Sequence, residues 1–208
     1  MMKQQKGFTL VEMAIVLVII GLLLGGVLKG QELIKNSKVK ALANDATGIS
    51  AAMNGYQDRF RALPGDDKKA DKNVGVAVGD IGDGDGILDN GLSTAGVSSE
   101  ESLKFFKHLA AAKLFSANND LAGTYLSSYG TPVGVKSNAF GTGNATISAC
   151  FINLPGDVVR FYETAYDDGV PSTGRVRLGS DVDTASTVAT VLDSTTDATL
   201  FTMCVAIN

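Results

Sequence analysis

Glu12 is the first residue of this chain whose placement asks for a chemical explanation. It is the only charged side chain in the run from Phe8 to Leu28, FTLVEMAIVLVIIGLLLGGVL, where Thr9 is the one other polar side chain. As a helix rising ~1.5 Å per residue, the run reaches ~31 Å, about the thickness of a bilayer's hydrocarbon core. A carboxylate there costs ~2.5 kcal/mol or more, and its natural partner is a cation brought into the same apolar surroundings. The polar leader MMKQQKG, with Lys3 and Lys6, stands in front of it. An ordinary secretory signal is cut behind its apolar region at a small-x-small site. Val27-Leu28-Lys29-Gly30 offers no such site, and Ala41 to Ala43 lies too far downstream, so the run reads as retained.

A second candidate for chemistry is the acidic stretch Gly82-Asp83-Gly84-Asp85-Gly86-Ile87-Leu88-Asp89-Asn90. Asp83, Asp85, Gly86 and Asp89 match positions three, five, six and nine of an EF-hand-like calcium loop, with Asp80 nearby. The first ligand position is Ile81, however, and the twelfth is Leu92 rather than glutamate. A solvated acidic turn therefore fits this ligand set better than a calcium site. The pairs Asp66-Asp67 and Asp167-Asp168 adjoin turn glycines, where aspartate is common for backbone reasons. His108 is the single histidine and has no ligand cluster or triad beside it, so it reads as a helix-surface or core residue. There is no Gly-x-Ser-x-Gly, phosphate loop or metal-binding cysteine spacing, and nothing else in the sequence supports catalysis.

The two cysteines, Cys150 and Cys204, lie far from the apolar run. A pair alone does not establish a bridge, and buried free thiols are the alternative. If the C-terminal part is exported, the compartment is oxidising and a disulfide is expected. The formal net charge is −4, and loss of the leader lysines Lys3 and Lys6 takes it to −6. An acidic chain gives no electrostatic support for nucleic-acid binding by the bulk of the head. Lys29, Lys35, Lys38 and Lys40 follow the apolar run, whereas only Lys3, Lys6 and the amino terminus precede it. Counting basic residues alone would place the downstream part in the cytoplasm.

The elements that must position these groups begin with the continuation of the first helix. Val39, Leu42, Ala46, Ile49, Met53, Tyr56, Phe60 and Leu63 recur at alternating steps of three and four, a one-sided helical stripe. Pro64-Gly65 ends it. Residues 64–97 read as a long acidic, glycine-rich loop. A helix is expected over 99–115, with Ser98 and Glu101 spaced as a capping box and Leu103, Phe106, Ala110 and Leu114 on its apolar face. Tyr125 to Tyr129 and Ile147 to Asn153 read as strands. Pro155 suits the first turn of a short helix presenting Val158, Tyr162, Ala165 and Tyr166 on one face. Arg175 to Gly179 is a further strand, and 180–197 a surface loop. In 198–207, Phe201, Met203, Val205 and Ile207 alternate with Thr202, Cys204 and Ala206, which predicts a strand with its cysteine opposite the apolar set.

Lys6-Gly7 followed by Phe8-Thr9-Leu10-Val11-Glu12 and an unbroken apolar run resembles the N-terminus of a type IV prepilin. The resemblance implies cleavage between Gly7 and Phe8 by prepilin peptidase on the cytoplasmic side, and N-methylation of the new Phe8 amine. It also implies that Glu12 is the buried acid of assembly, neutralising the Phe8 ammonium of a neighbouring subunit in a filament core. Together with the cysteines it favours export of the C-terminal part, against the lysine count. Pilins often carry a disulfide near the C-terminus, and calcium-bound heads occur among the related secretion pseudopilins. Many type IV pilins have a helix-breaking proline where this chain has Gly25-Gly26 and Lys29.

The expected organisation is a leader (1–7), a transmembrane and filament-core helix (8–28), an amphipathic continuation (29–63) and a globular head (64–208). The fold class is α+β, a long N-terminal helix packed on a small, mainly antiparallel sheet. The expected function is structural: a type IV pilus subunit held in the bacterial inner membrane with its head outside the cytoplasm, then polymerised. Its partners would be prepilin peptidase, other pilin subunits, the inner-membrane assembly machinery and the lipid bilayer. A type II secretion pseudopilin or a minor pilin is the alternative, and a monomeric membrane-anchored binding protein a third reading.

Overall fold

A computed structural model describes residues 9–88, 92–93, 96–97, 100–116, 125–143, 145–179, 192 and 197–208. The chain divides into two units, residues 1–38 and 39–208. Helix α1, Leu10–Phe60, contributes residues to both. In the first unit its side chains from Leu10 to Ile34 are large, apolar and exposed wherever they are Leu, Ile, Val or Met. This is the one helix among the described residues long and apolar enough to cross a membrane.

In the second unit the same helix behaves as an amphipathic element. Val39, Leu42, Ala46, Ile49, Met53 and Tyr56 are all buried, so the stripe is the face that packs on the sheet. Phe60 is partly buried against the same core. The helix stops at Phe60, three residues before the expected end at Leu63, and Arg61 takes a positive φ of 55°. Each large stripe residue contributes roughly 1.5–3 kcal/mol by leaving water, which is why this half is helical in spite of its modest propensities.

The stretch expected as one loop holds short elements: α2 (Ala70–Asn73), a 3-10 turn (Val78–Asp80), and a two-stranded antiparallel ribbon of β1 (Leu92–Ser93) and β2 (Gly96–Val97). Helix α3 runs Glu100–Ala111, shorter than expected. Its buried side is Phe105, Phe106, Leu109 and Ala112 with His108, whereas Ala110 is exposed and Leu114 only half-buried, so the expected face was rotated. Ser98 lies outside the described residues.

The main sheet has five antiparallel strands in the order β3-β4-β5-β7-β6. They are β3 (Tyr125–Leu126), β4 (Pro132–Ser137), β5 (Ile147–Pro155), β6 (Val176–Gly179) and β7 (Leu200–Ala206). Strand β4 was not foreseen: Pro132 and Gly134 argue against a strand, and its burial does not alternate because both faces are covered. Helix α4, Gly156–Tyr166, follows β5 directly, and Pro155 closes the strand as the residue before the helix rather than lying in its first turn. Val158, Val159, Tyr162 and Glu163 form its buried side, whereas Ala165 and Tyr166, expected there, are exposed.

The two faces of the sheet separate as the alternation in β7 predicts. Met203, Val205 and Ile207 join Val133, Val135, Ala149 and Phe151 in the main core under α1, α3 and α4. Cys204 faces the other way with Cys150, Ile152, Ala139 and Phe140.

Candidate functional site

The N-terminal site is assembled in the first turn of α1. Thr9 Oγ1 accepts the Glu12 N–H at 3.3 Å, and Glu12 Oε2 accepts both the Thr9 N–H and the Thr9 hydroxyl at 2.8 Å. This is a capping box, Thr-x-x-Glu, in which each residue satisfies the other's backbone donor at the helix start. It gives the carboxylate local partners in the apolar run, and the spacing that reveals it stands openly in the sequence. Among the described residues, Thr9 is the hydrogen-bond partner of this carboxylate. Gly7 and Phe8 lie outside the described residues.

In the head, Asp66 organises the acidic loop. It is only 3% exposed, and its carboxylate accepts N–H groups from Gly84 at 2.6 Å, Asp85 at 3.2 Å and Gly86 at 2.7 Å. Burial raises its pKa, while the N–H groups of Gly86 and Gly84 pull the other way. The loop comes so close that a Cβ on Gly82 would run into the Asp66 backbone. Asp83 and Asp85 are exposed and cap their own turn, accepting Asp85 N–H and Ile87 N–H respectively. One oxygen from each of Asp66, Asp83 and Asp85 lies within 4.8 Å of the others. Asp89, the third residue of the expected calcium set, lies outside the described residues. Asp66 was missed because it sits 18 to 20 residues before the N–H groups it holds.

Its neighbour Asp67 is equally buried and fully used, accepting Tyr56 Oη at 2.9 Å, Asn73 Nδ2 at 2.7 Å and Lys69 N–H at 2.8 Å. His108 is wholly buried and ties this region to α3. Gly65 N–H donates to its Nδ1 at 2.9 Å, so Nε2 carries the proton and donates to the Asp80 carbonyl at 2.7 Å. Burial is the main reason its pKa lies below the usual histidine value. Its role is architectural.

A further acidic group lies after α4. Glu163, Asp167 and Asp168 each place a carboxylate oxygen within 4.8 Å of the others. Burial first, then the neighbouring Asp167 and Asp168, push Glu163 up to about 8. The sequence carries one sign of it: Glu163 and Asp167 are four residues apart, which on a helix stacks them on one side.

Cys150 and Cys204 stand directly opposite each other in the β5–β7 register and form a disulfide, with 4.0 Å between their Cα atoms. The bridge joins two central strands behind the main core.

Residues 2–28 match the model of the prokaryotic N-terminal methylation motif. No curated protein and no solved structure matches the chain. The matched segment takes in Gly7, Phe8, the Thr9–Glu12 capping box and the whole apolar run. The N-terminal segment is thus similar to a prepilin-type methylation motif, and it opens a chain with a long apolar N-terminal helix and a five-stranded antiparallel sheet in its second unit.

Proposed function

We propose that this chain is a structural subunit of an extracellular type IV pilus. Prepilin peptidase removes residues 1–7, the Phe8 amine is methylated, and the apolar part of α1 holds the subunit in the inner membrane until assembly. The assembly machinery then moves subunits into a filament whose core is built from these helices.

The observation that carries the reading is Glu12: one acid in an otherwise apolar, exposed helix segment, held at the helix start by Thr9. Its partner is the Phe8 ammonium of a neighbouring subunit, which neutralises the charge in a setting where each ion alone is costly. The methylation motif across the same residues supports the processing step.

The test is mass spectrometry of filaments sheared from cells that produce the protein. The expected main subunit begins at methylated Phe8. A subunit that begins at Met1 or behind Leu28 overturns the processing. Absence of filaments together with loss of protein secretion on deletion assigns the chain to secretion pseudopilins instead.

A further inference from the structure

Two acidic clusters in the head look alike in sequence, each built on an Asp-Asp pair near turn glycines, yet they solve the problem of a buried carboxylate differently. In the first, Asp66 is buried and receives three backbone N–H groups. Its charge is met by the protein itself. In the second, Glu163 is 1% exposed, and both of its carboxylate oxygens are buried without a hydrogen-bond partner. As an ion such a group would be among the costliest arrangements a fold can hold, so it keeps a proton unless a cation takes the proton's place.

The surroundings of Glu163 make that cost larger. Its carboxylate is aimed at those of Asp167 and Asp168, with one oxygen of each within 4.8 Å of the others. Both aspartates are held there by the loop that enters β6. Asp167 Oδ2 accepts Val176 N–H at 2.7 Å, and Asp168 accepts Val170 N–H at 2.8 Å and the Thr173 hydroxyl at 2.6 Å. Gly174, at φ +71°, makes room for the Asp167 carboxylate, which a Cβ there would strike. Arg177 reaches the cluster electrostatically, but its Nε is buried without a partner. Three carboxylates are thus fixed in convergence, and the most buried of them is the one with no donor.

We propose that Glu163, Asp167 and Asp168 form a calcium site that ties the end of α4 to the loop entering strand β6. Hard carboxylate oxygens suit a hard cation, and oxygens on opposite sides of a calcium ion, bound at 2.3–2.6 Å, stand roughly 4.8 Å apart. Magnesium, at 2.0–2.1 Å, demands a near-ideal octahedron and gives up its waters reluctantly, so a cluster made mainly of carboxylates favours calcium. The lone pairs left free by the loop's N–H and hydroxyl donors supply the remaining coordination. The ion replaces the missing partners of Glu163 and cancels the repulsion among the three acids.

The experiment uses the full chain in detergent, stripped with EDTA and then titrated with calcium chloride. At a hundredfold excess over its dissociation constant, calcium should raise the melting temperature by about 5–10 °C. Terbium in place of calcium should show luminescence sensitised by the adjoining Tyr162–Tyr166 ring pair. Glu163→Gln and Asp168→Asn should each abolish both signals, while Asp83→Asn and Asp85→Asn retain them. Far-UV circular dichroism of the stripped Glu163→Gln protein, an isosteric neutral variant, confirms that it folds. No shift in the unsubstituted protein overturns the proposal and leaves a proton shared between Glu163 and Asp168. A shift that survives Glu163→Gln, or that Asp83→Asn removes, overturns it in favour of the other acidic loop.

Discussion

Helix α1 is one element with two lives. Up to Lys38 its leucines, isoleucines and valines are exposed, Leu17 at 69% for example, whereas from Val39 onward Leu42, Ile49, Met53 and Tyr56 are completely covered. The residue types differ less than their arrangement. From Leu10 to Leu28 the helix is apolar on every side but for Glu12, while from Val39 on it confines its apolar residues to one stripe and leaves polar ones on the other. A helix apolar all round needs lipid or other helices as its solvent, and a one-sided helix needs a single partner surface. The head supplies that surface for the rear half. In the function proposed above, the front half finds its surroundings first in the membrane and then in copies of the same segment.

The largest effect should come from the one acid in the front half. In the filament proposed above, Glu12→Ala would leave a neighbour's ammonium unpaired in an apolar core, a penalty of ~3–5 kcal/mol per subunit. Filament yield in sheared fractions should fall to near zero, while membrane insertion, cleavage at Gly7 and the melting of the head stay unchanged. Normal filament yield from this variant would erase the functional half of the comparison.

Next in size is a paired truncation on the same helix. Leu42→Ala should destabilise the head by ~2–5 kcal/mol through lost burial and the cavity left behind. Leu17→Ala, made in an exposed position, should leave denaturant unfolding of the head where it was. Equal losses from both would mean that the two halves share one core. Cys150→Ser gives a reference within the head: loss of the bridge to Cys204 should cost ~2–5 kcal/mol, read from the same unfolding curves.

A smaller effect is expected from His108. Its folded pKa lies below the reference value of 6.5, so the fold favours the neutral ring. Its contribution is fully present above pH 6.5 and is lost as the pH falls below that value, by at most about 1.4 kcal/mol per pH unit. Protonation of Nδ1 removes the acceptor of Gly65 N–H. His108→Asn, which retains an acceptor there but does not titrate, should flatten the stability profile between pH 5 and 6.5. The smallest effect belongs to Gly25 and Gly26, where a Cβ meets open space. Alanine at either should favour the helix by about 1 kcal/mol, visible as a modest gain in helical signal.

Much of this molecule was legible before its structure, and the reason differs from element to element. The stripe from Val39 to Tyr56 was readable because burial on one side repeats every three to four residues. The opposite facing of Cys204 and Met203 in β7 was readable for the same kind of reason, with a period of two. Strand β4 was not, since a strand covered on both faces loses its alternation and this one contains a proline and a glycine. In α3 and α4 the expected faces were partly right: Phe106, Val158 and Tyr162 are buried, whereas Ala110, Ala165 and Tyr166 are exposed because the buried side is turned by part of a turn. The Thr9–Glu12 capping box is also local, since a Thr-x-x-Glu spacing at a helix start needs no distant residue.

By itself the sequence determined the features that depend on neighbours along the chain. These are the processing motif, the fully apolar run with its single acid, the one-sided stripe and the two-faced last strand. Only the tertiary structure decided which acids matter in the head. Asp66 is tied to N–H groups 18 to 20 residues away, and His108 reaches Gly65 and Asp80 across 43 and 28 residues. Glu163 becomes a buried, partnerless carboxylate because α4 turns that side toward the β6 loop. Local periodicity specifies which residues share a face, but the energy of a charge depends on everything that surrounds it, and those surroundings are assembled from distant parts of the chain.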